Sequence, residues 1–187
     1  MAHEDLIVRA ELAADGSLYQ GYHPRMREVH DRHATRLAQI VESHGWPGEP
    51  QVGPEAAQAA WLIAQHGIAQ PAFQREALRA LSVAARRGEV PAWQVALLDD
   101  RIRTFEGLPQ RYGTQFDWDA SGQLSPLPIE DLVRVDELRQ AMGLRPLAQE
   151  IQAQREAAAR DTEGPPADWE TRQREREAWL REVGWRS

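Results

Sequence analysis

Apolar residues recur at helical spacing along most of the chain, and turn residues divide this pattern into about seven helices and one hairpin. Proline at the first helical position marks three helix starts, at Pro54, Pro71 and Pro91. Glycine ends two of the helices, at Gly45 and Gly67. The pattern therefore predicts a mainly α-helical fold, a compact multi-helix domain.

The pattern changes between residues 111 and 128, where aromatic and β-branched residues flank the turn sequence 119–122. This segment predicts one β-hairpin at about 111–128. We expect residues 1–147 to form a single helical domain that includes the hairpin, followed by a charged helical C-terminal extension over 148–187. The last helix of that extension, 168–183, has apolar residues only near its ends, which is typical of a solvated strut or a loosely docked arm.

The composition excludes several classes of function. Among 187 residues, 22 are basic and 29 are acidic, for a net charge of −7, and every basic residue is Arg because Lys is absent. Without Lys there is no Schiff-base lysine and no Walker A motif, and without Cys there is no disulfide or thiolate site. An acidic chain with no clustered basic face argues against nucleic-acid binding. No apolar run reaches the ~20 residues of a membrane span, and the N-terminal sequence lacks the order of a signal peptide, so we expect a cytoplasmic protein without membrane contact.

Three histidines share the apolar stripe of the helix predicted over 23–44. On a helical projection His30, His33 and His44 fall among the apolar residues, so we expect them to point inward. One interpretation is that each is a core or boundary histidine bonded to a carbonyl or carboxylate. The alternative is a zinc or iron site, in which His30 and His33 bind the ion together with His66.

The helix predicted over 53–66 is apolar nearly all round, which indicates a central, buried element. Its few polar residues are therefore candidates for a site. His66 lies at the C-terminus of this helix and is a candidate general acid or base, oriented by Gln65 or by Asp100. The alternative is a capping histidine that bonds the last carbonyls of the helix.

Arg101 conflicts with the apolar pattern of the helix that begins at Pro91. It falls in the middle of the apolar arc, and removing an isolated guanidinium from water costs on the order of several kcal/mol. Arg101 therefore needs a carboxylate partner such as Asp100, Asp131 or Asp136, or it faces a pocket and binds an anionic ligand.

The segment 109–115, PQRYGTQ, concentrates hydrogen-bonding side chains at the start of the predicted hairpin. Gly113 suits a bulge or a close approach of the backbone. Four side chains of the segment are candidates to line a small-molecule site: Gln110, Tyr112, Thr114 and Gln115. The alternative is that they pin the hairpin onto the helices.

Five short motifs occur in order along the chain: HGWP (44–47), AAWLIAQH (59–66), FQ (73–74), DRI (100–102) and PQRYGTQ (109–115). Together, over roughly residues 20–147, they resemble an uncharacterised, mainly bacterial family of domains of unknown function. The resemblance implies a compact, mostly helical domain and carries over no activity or cofactor. It also implies a shared residue set: Trp46, Gln65, His66, Asp100, Arg101, Gln110, Tyr112, Thr114 and Gln115. The positions of His30 and His33 often hold Asp and Asn types in that family, which weakens the metal interpretation.

Our leading hypothesis is an enzyme of the hydrolysis or elimination type that modifies a small molecule or peptide carrying an anionic group. Its catalytic residues would be His66, Asp100 and Tyr112. Six residues would bind the substrate: Trp46, Gln65, Arg101, Gln110, Thr114 and Gln115.

Two alternatives remain open from the sequence. One is a non-catalytic module that binds a ligand or a protein, such as a sensor or an immunity-like partner. The other is a metal-dependent enzyme that uses His30, His33 and His66. The sequence identifies no cofactor. A small molecule and a protein bound through the C-terminal helix are the candidate partners, whereas nucleic acid and membrane are not expected.

Overall fold

A computed structural model describes residues 2–14, 22–160 and 164–187, and this part of the chain contains nine helices and one two-stranded antiparallel hairpin. The elements up to Pro91 are the helices α1 (Ala2–Ala14), α2 (Pro24–His44), α3 (Glu49–Val52), α4 (Pro54–His66) and α5 (Pro71–Arg86). The later elements are α6 (Ala92–Phe105), β1 (Phe116–Trp118), β2 (Leu124–Pro126), α7 (Val135–Ala141), α8 (Leu147–Arg160) and α9 (Trp169–Glu182). The prediction of a mainly α-helical fold with one hairpin is confirmed.

The chain divides into two compact units, Met1–Pro91 and Ala92–Ser187, here termed the N-terminal and C-terminal units. The predicted division into a domain at 1–147 and an extension at 148–187 stays a prediction. No helix in the described ranges combines the length and the apolar character that crossing a membrane requires.

Helix α2 is the central element of the N-terminal unit, where it contacts α1, α4 and α5. Its buried positions recur at helical spacing: Met26, Val29, His33, Ala34, Leu37 and Val41. The helix begins at Pro24, and Nδ1 of His23 accepts a hydrogen bond from the amide of Arg25. It ends before Gly45, whose φ of 77° is unfavourable for any residue with a side chain.

The hairpin of the C-terminal unit is shorter than the predicted 111–128. Phe116 pairs with Pro126 and Trp118 with Leu124, so each strand has three residues. Asp119 closes the turn, since its carboxylate accepts hydrogen bonds from Ser121, Gln123 and Ser125. Residues 111–115 lie outside the strands, and the amides of Arg111, Tyr112, Thr114 and Gln115 bond to side chains of the same unit instead.

Helix α9 packs within the C-terminal unit, so the expected solvated strut or loosely docked arm is wrong. The indole of Trp169 donates a 2.7 Å hydrogen bond to the carbonyl of Trp118 in the hairpin. Further along, Leu180 is completely buried, and the ring of Phe105 lies 5.2 Å from that of Trp185. A few large apolar residues near the end of α9 are therefore enough to dock a helix whose middle is almost entirely polar.

We expect Leu180→Ala to destabilise the protein by about 2–5 kcal/mol, because it removes a fully buried side chain and leaves a cavity. Equilibrium unfolding in urea, followed by tryptophan fluorescence, measures this loss. Glu175→Ala, at an exposed position of the same helix, should change stability by less than about 0.5 kcal/mol. Equal effects of the two substitutions would show that α9 is not packed.

Candidate functional site

Two histidines and one aspartate form a hydrogen-bonded cluster in the N-terminal unit. Nε2 of His30 lies 2.8 Å from Oδ1 of Asp5, and Nδ1 of His66 lies 2.8 Å from Oδ2 of the same carboxylate. The two imidazole rings also lie close together, with centroids 4.9 Å apart. Each carboxylate oxygen is thus bonded to one imidazole, and we term these three residues the histidine–aspartate cluster.

The apolar contact between α1 and α2 places Asp5 beside His30. Asp5, Val8 and Leu12 follow one another at helical spacing, so they lie on one face of α1, and all three are buried. Val8 and Leu12 belong to a small apolar core that includes Val29 of α2. Because His30 directly follows Val29, packing of the apolar residues brings its ring to the carboxylate.

His66 joins the cluster from the end of α4. The helix ends there because Gly67 follows, and a Cβ atom on Gly67 would lie only 2.7 Å from the ring of Phe73. Only glycine permits this approach of the chain to α5. The side chain of His66 is 32% exposed, whereas that of Asp5 is 9% exposed. His66 is therefore the member of the cluster that a dissolved molecule can reach most easily.

The charge of Asp5 depends on its two histidine partners. Burial alone would raise the pKa of Asp5, but hydrogen bonds from His30 and His66 outweigh burial and hold that pKa well below its usual range. The hydroxyl of Tyr22 lies 2.8 Å from the other ring nitrogen of His30, and burial raises the pKa of Tyr22. At neutral pH the cluster thus contains an ionised carboxylate, and the phenol of Tyr22 beside it is neutral.

The bond to Asp5 determines which nitrogen of His66 is accessible. Since Nδ1 faces a carboxylate, the proton of the neutral ring is assigned to Nδ1, and Nε2 carries the lone pair. Within the described ranges, no residue forms a hydrogen bond with Nε2. The exposed side of this imidazole therefore offers a proton acceptor.

The same three residues offer ligand atoms for a metal ion. One nitrogen from each histidine and a carboxylate oxygen of Asp5 all lie within 4.8 Å of one another. Two histidines and one carboxylate form a common donor set for divalent transition metals, and Tyr22 would support His30 as an outer partner. The ligand set predicted from the sequence, His30, His33 and His66, is corrected at one position, because Asp5 takes the place of His33.

His33 is buried but bonds to a different carboxylate. Its Nε2 lies 2.9 Å from Oε2 of Glu4, and Arg32 bonds to the other oxygen of Glu4. Hydrogen bonds from His33 and then Arg32 lower the pKa of Glu4. Glu4 and Asp5, which are consecutive in α1, thus each form a hydrogen bond with a histidine of α2. His44, also predicted to point inward, is exposed because it is the last residue of α2.

A second buried carboxylate, Asp100 on α6, organises the segment 111–114 of the C-terminal unit. Oδ1 accepts a hydrogen bond from the amide of Arg111 at 2.7 Å. Oδ2 accepts hydrogen bonds from both the amide and the hydroxyl of Thr114 at 3.0 Å. The amide of Tyr112 lies between the two oxygens. Burial raises the pKa of Asp100, and these hydrogen bonds oppose the rise. The contacts make Asp100 an anchor for the segment, and its catalytic role stays a prediction.

The two glutamines of the 109–115 segment bond mainly to the backbone. Nε2 of Gln110 donates to two carbonyls at 3.0 and 2.7 Å, and its Oε1 accepts the amide of Gln115 at 2.8 Å. Oε1 of Gln115 in turn accepts from Nε of Arg101 at 3.3 Å. Burial lowers the pKa of Arg101 to about 10, so it is a cation at neutral pH. Asp131 and Asp136, predicted as its partners, accept hydrogen bonds from backbone amides.

Arg139 is a buried cation that the sequence pattern did not lead us to expect. It is only 1% exposed, and its Nη1 donates to the carbonyls of Tyr112 and Gly113 at 2.6 and 3.2 Å. Its Nε donates to the carbonyl of Arg145 at 2.6 Å. Arg139 follows buried Val135 by four residues, which places it on the inner face of α7. This spacing is the sequence feature from which its burial could have been predicted. In the same way, the spacing from Val8 and Leu12 was the signal for Asp5.

The residues predicted to form one site are distributed over both units. The N-terminal unit contains Trp46, Gln65 and His66, and the C-terminal unit contains Asp100, Arg101, Gln110, Tyr112, Thr114 and Gln115. Trp46 and Gln65 are buried. The residue that orients His66 is Asp5, which corrects the expectation of Gln65 or Asp100. Binding of a substrate by any of these residues stays a prediction.

Residues 11–161 match the model of a family described as Family of unknown function (DUF6624), and the chain belongs to that family. This range contains the segment at about 20–147 on which the resemblance rests, so the resemblance is confirmed. No curated protein and no solved structure matches the chain significantly. His30 and His66 lie within the matched range, whereas Asp5 precedes it.

We expect the carboxyl group of Asp5 to remain ionised at the pH where exposed aspartates, with a pKa of about 3.9, are half protonated. Carbon-detected NMR of the carboxyl signal measures this titration. Because the pKa is lowered in the folded protein, the stabilisation is present above the pKa of the unfolded chain. It is lost as the pH falls through the folded-state value.

His66→Gln should raise the pKa of Asp5, because the hydrogen bond from the His66 imidazole is removed while the carboxylate stays buried. His44→Gln, at an exposed position, should leave the pKa of Asp5 unchanged. An Asp5 signal that titrates like an exposed aspartate in the unsubstituted protein would contradict the cluster.

Proposed function

We propose that this protein is an enzyme of the hydrolysis or elimination type, acting on a small molecule or a peptide, in which His66 transfers the proton. The observation that supports it most directly is the hydrogen bond between Asp5 and Nδ1 of His66. This bond leaves Nε2 of a partly exposed imidazole without a partner among the described residues. A carboxylate, an imidazole and an open ring nitrogen are the acid–base part of a catalytic triad.

In this proposal Nε2 of His66 accepts a proton from water or from an acidic C–H group of the substrate. Asp5 stabilises the imidazolium that forms, because its carboxylate is 2.8 Å from Nδ1 and largely removed from water. The imidazolium then returns the proton to the leaving group as a general acid. Proton transfer of this kind accelerates a reaction by about 10²–10⁴-fold.

His30 and Tyr22 are positioning residues in this proposal. His30 holds the second oxygen of Asp5 at 2.8 Å, so the carboxylate is fixed in the orientation that bonds His66. Tyr22 holds the other nitrogen of His30 at the same distance. Three hydrogen bonds in series thus connect the partly buried phenol of Tyr22 to the partly exposed imidazole of His66.

The proposal does not depend on the residues predicted in the C-terminal unit. Asp100, Gln110 and Thr114 bond to that unit's own backbone and side chains, which favours a structural role. An anionic substrate group bound by Arg101 stays a prediction, as do the roles of Tyr112 and Gln115. A cytoplasmic location, which we expect from the sequence, belongs to the proposal.

The test compares the unsubstituted protein with His66→Gln, Asp5→Asn and His44→Gln. Each is incubated with a bacterial small-molecule and peptide extract, and the compounds consumed are followed by mass spectrometry. We expect the unsubstituted protein and His44→Gln to consume the same compound. His66→Gln should be slower by about 10²-fold or more because the proton acceptor is lost.

Thermal unfolding of each variant shows whether lost activity reflects a lost fold. A folded His66→Gln variant with undiminished turnover would overturn the proposal. Binding of a compound that is recovered unchanged, with no turnover by any variant, would support the non-catalytic binding module instead.

A second candidate function, metal-dependent hydrolysis, is supported by the ligand atoms that lie within 4.8 Å of one another. Bound to Asp5, His30 and His66, a divalent ion would act as a Lewis acid on water. Nδ1 of His66 would then be a ligand, so the two candidates differ in the role of this one residue.

Zinc titration of chelator-treated protein, followed by calorimetry, separates the two candidates. The metal candidate predicts one ion per chain and affinity at least about tenfold weaker in His30→Gln, a ligand substitution. His44→Gln should bind as the unsubstituted protein does. Full activity of metal-free protein in the presence of chelator would exclude the metal candidate and support acid–base catalysis by His66.

A further inference from the structure

A cavity of about 340 Å³ lies in the C-terminal unit and shares no lining residue with the histidine–aspartate cluster. Its walls are largely apolar, with Leu108, Pro109, Leu127 and Pro128 contributing side chains. Leu108 is 48% exposed, which is a large solvent-exposed area for leucine. A cavity of this size is within the usual range for small-molecule sites, and its walls suit the hydrocarbon part of a ligand.

Two arginines of the C-terminal segment, Arg176 and Arg186, also line this cavity. They differ in the hydrogen bonds that they make to described residues. Arg186 donates to the carbonyls of Phe105 and Thr104 at 2.9 and 3.0 Å and pairs with Glu177. Arg176 has no hydrogen bond or ion pair with any described residue. Among the residues that the structure describes, Arg176 is therefore the cation of this cavity that is available to a ligand.

The guanidinium groups around Arg176 outnumber the carboxylates that pair with them. Asp117 pairs with Arg172, and Glu177 is shared by Arg181 and Arg186. These two carboxylates act on Arg176 through their charge and are already paired with other guanidinium groups. Burial lowers the pKa of Arg176, and the attraction of Asp117 and Glu177 only partly opposes this effect.

We propose that this cavity binds a small organic carboxylate, whose carboxyl group pairs with Arg176 and whose hydrocarbon part lies against Leu108 and Leu127. A guanidinium offers two parallel N–H donors that match the two oxygens of a carboxylate. An inorganic phosphate would pair with Arg176 but would make no apolar contact with the walls of the cavity. The inference goes beyond the proposed function and does not depend on His66.

Phenylacetate is a suitable probe, since it combines one carboxylate with one apolar ring. Ligand-observed NMR titration of the full chain measures its dissociation constant. We expect Arg176→Gln to weaken binding by about tenfold or more, because the charged hydrogen bonds are lost. The matched control is Arg174→Gln, an exposed arginine of α9 that should leave the affinity unchanged.

Two further probes separate the contributions of charge and apolar contact. Phenylacetamide, which is neutral, should bind at least about tenfold more weakly than phenylacetate, and the deficit should disappear in Arg176→Gln. Inorganic phosphate should not compete with phenylacetate at equal concentration.

Equal affinity of the unsubstituted protein and Arg176→Gln for phenylacetate would overturn the proposal. Absence of phenylacetate binding at millimolar concentration would overturn it as well. Effective competition by phosphate would show a general anion site and not a carboxylate pocket.

Discussion

A carboxylate that is removed from water must have its oxygens hydrogen-bonded, and each unit of this protein is organised around one such group. In the N-terminal unit the group is Asp5, which bonds two histidines from different helices. In the C-terminal unit it is Asp100, which bonds the amides of Arg111, Tyr112 and Thr114. Helices that are distant in sequence are thereby held at a defined distance, because moving either one would leave a buried charge without partners.

The two carboxylates differ in the groups that donate hydrogen bonds to them. This difference favours a structural role for Asp100 and a role in proton transfer for Asp5. Backbone amides do not titrate near neutral pH, so Asp100 with its loop is a rigid anchor. Imidazoles exchange protons near neutral pH, so Asp5 lies within a group that can both accept and return a proton. The partial exposure of His66 makes that exchange accessible to a substrate.

In this chain without lysine, arginine side chains donate the hydrogen bonds to several backbone carbonyls of the C-terminal unit. Arg139 uses several N–H groups to bond carbonyls from two segments, and Arg186 uses two of them to bond the consecutive carbonyls of Thr104 and Phe105. A lysine ammonium lacks this planar, forked geometry, so it would not replace either residue without loss of contacts. Arg176 has the same chemistry but no such partners among the described residues, which is why it is available for a ligand.

Helical periodicity, prolines at helix starts and glycines at helix ends were enough to predict the helical class, the hairpin and the buried face of α2. They were not enough to predict the shortest helix, α3, because a helix of 4 residues carries too little of the period. The inward positions of His30 and His33 followed from the sequence, but their partners did not. Periodicity shows which face of a helix is buried, but it does not show which other helix packs against that face. Asp5 and His66 are 61 residues apart, and only the packing of α1, α2 and α4 brings them to 2.8 Å.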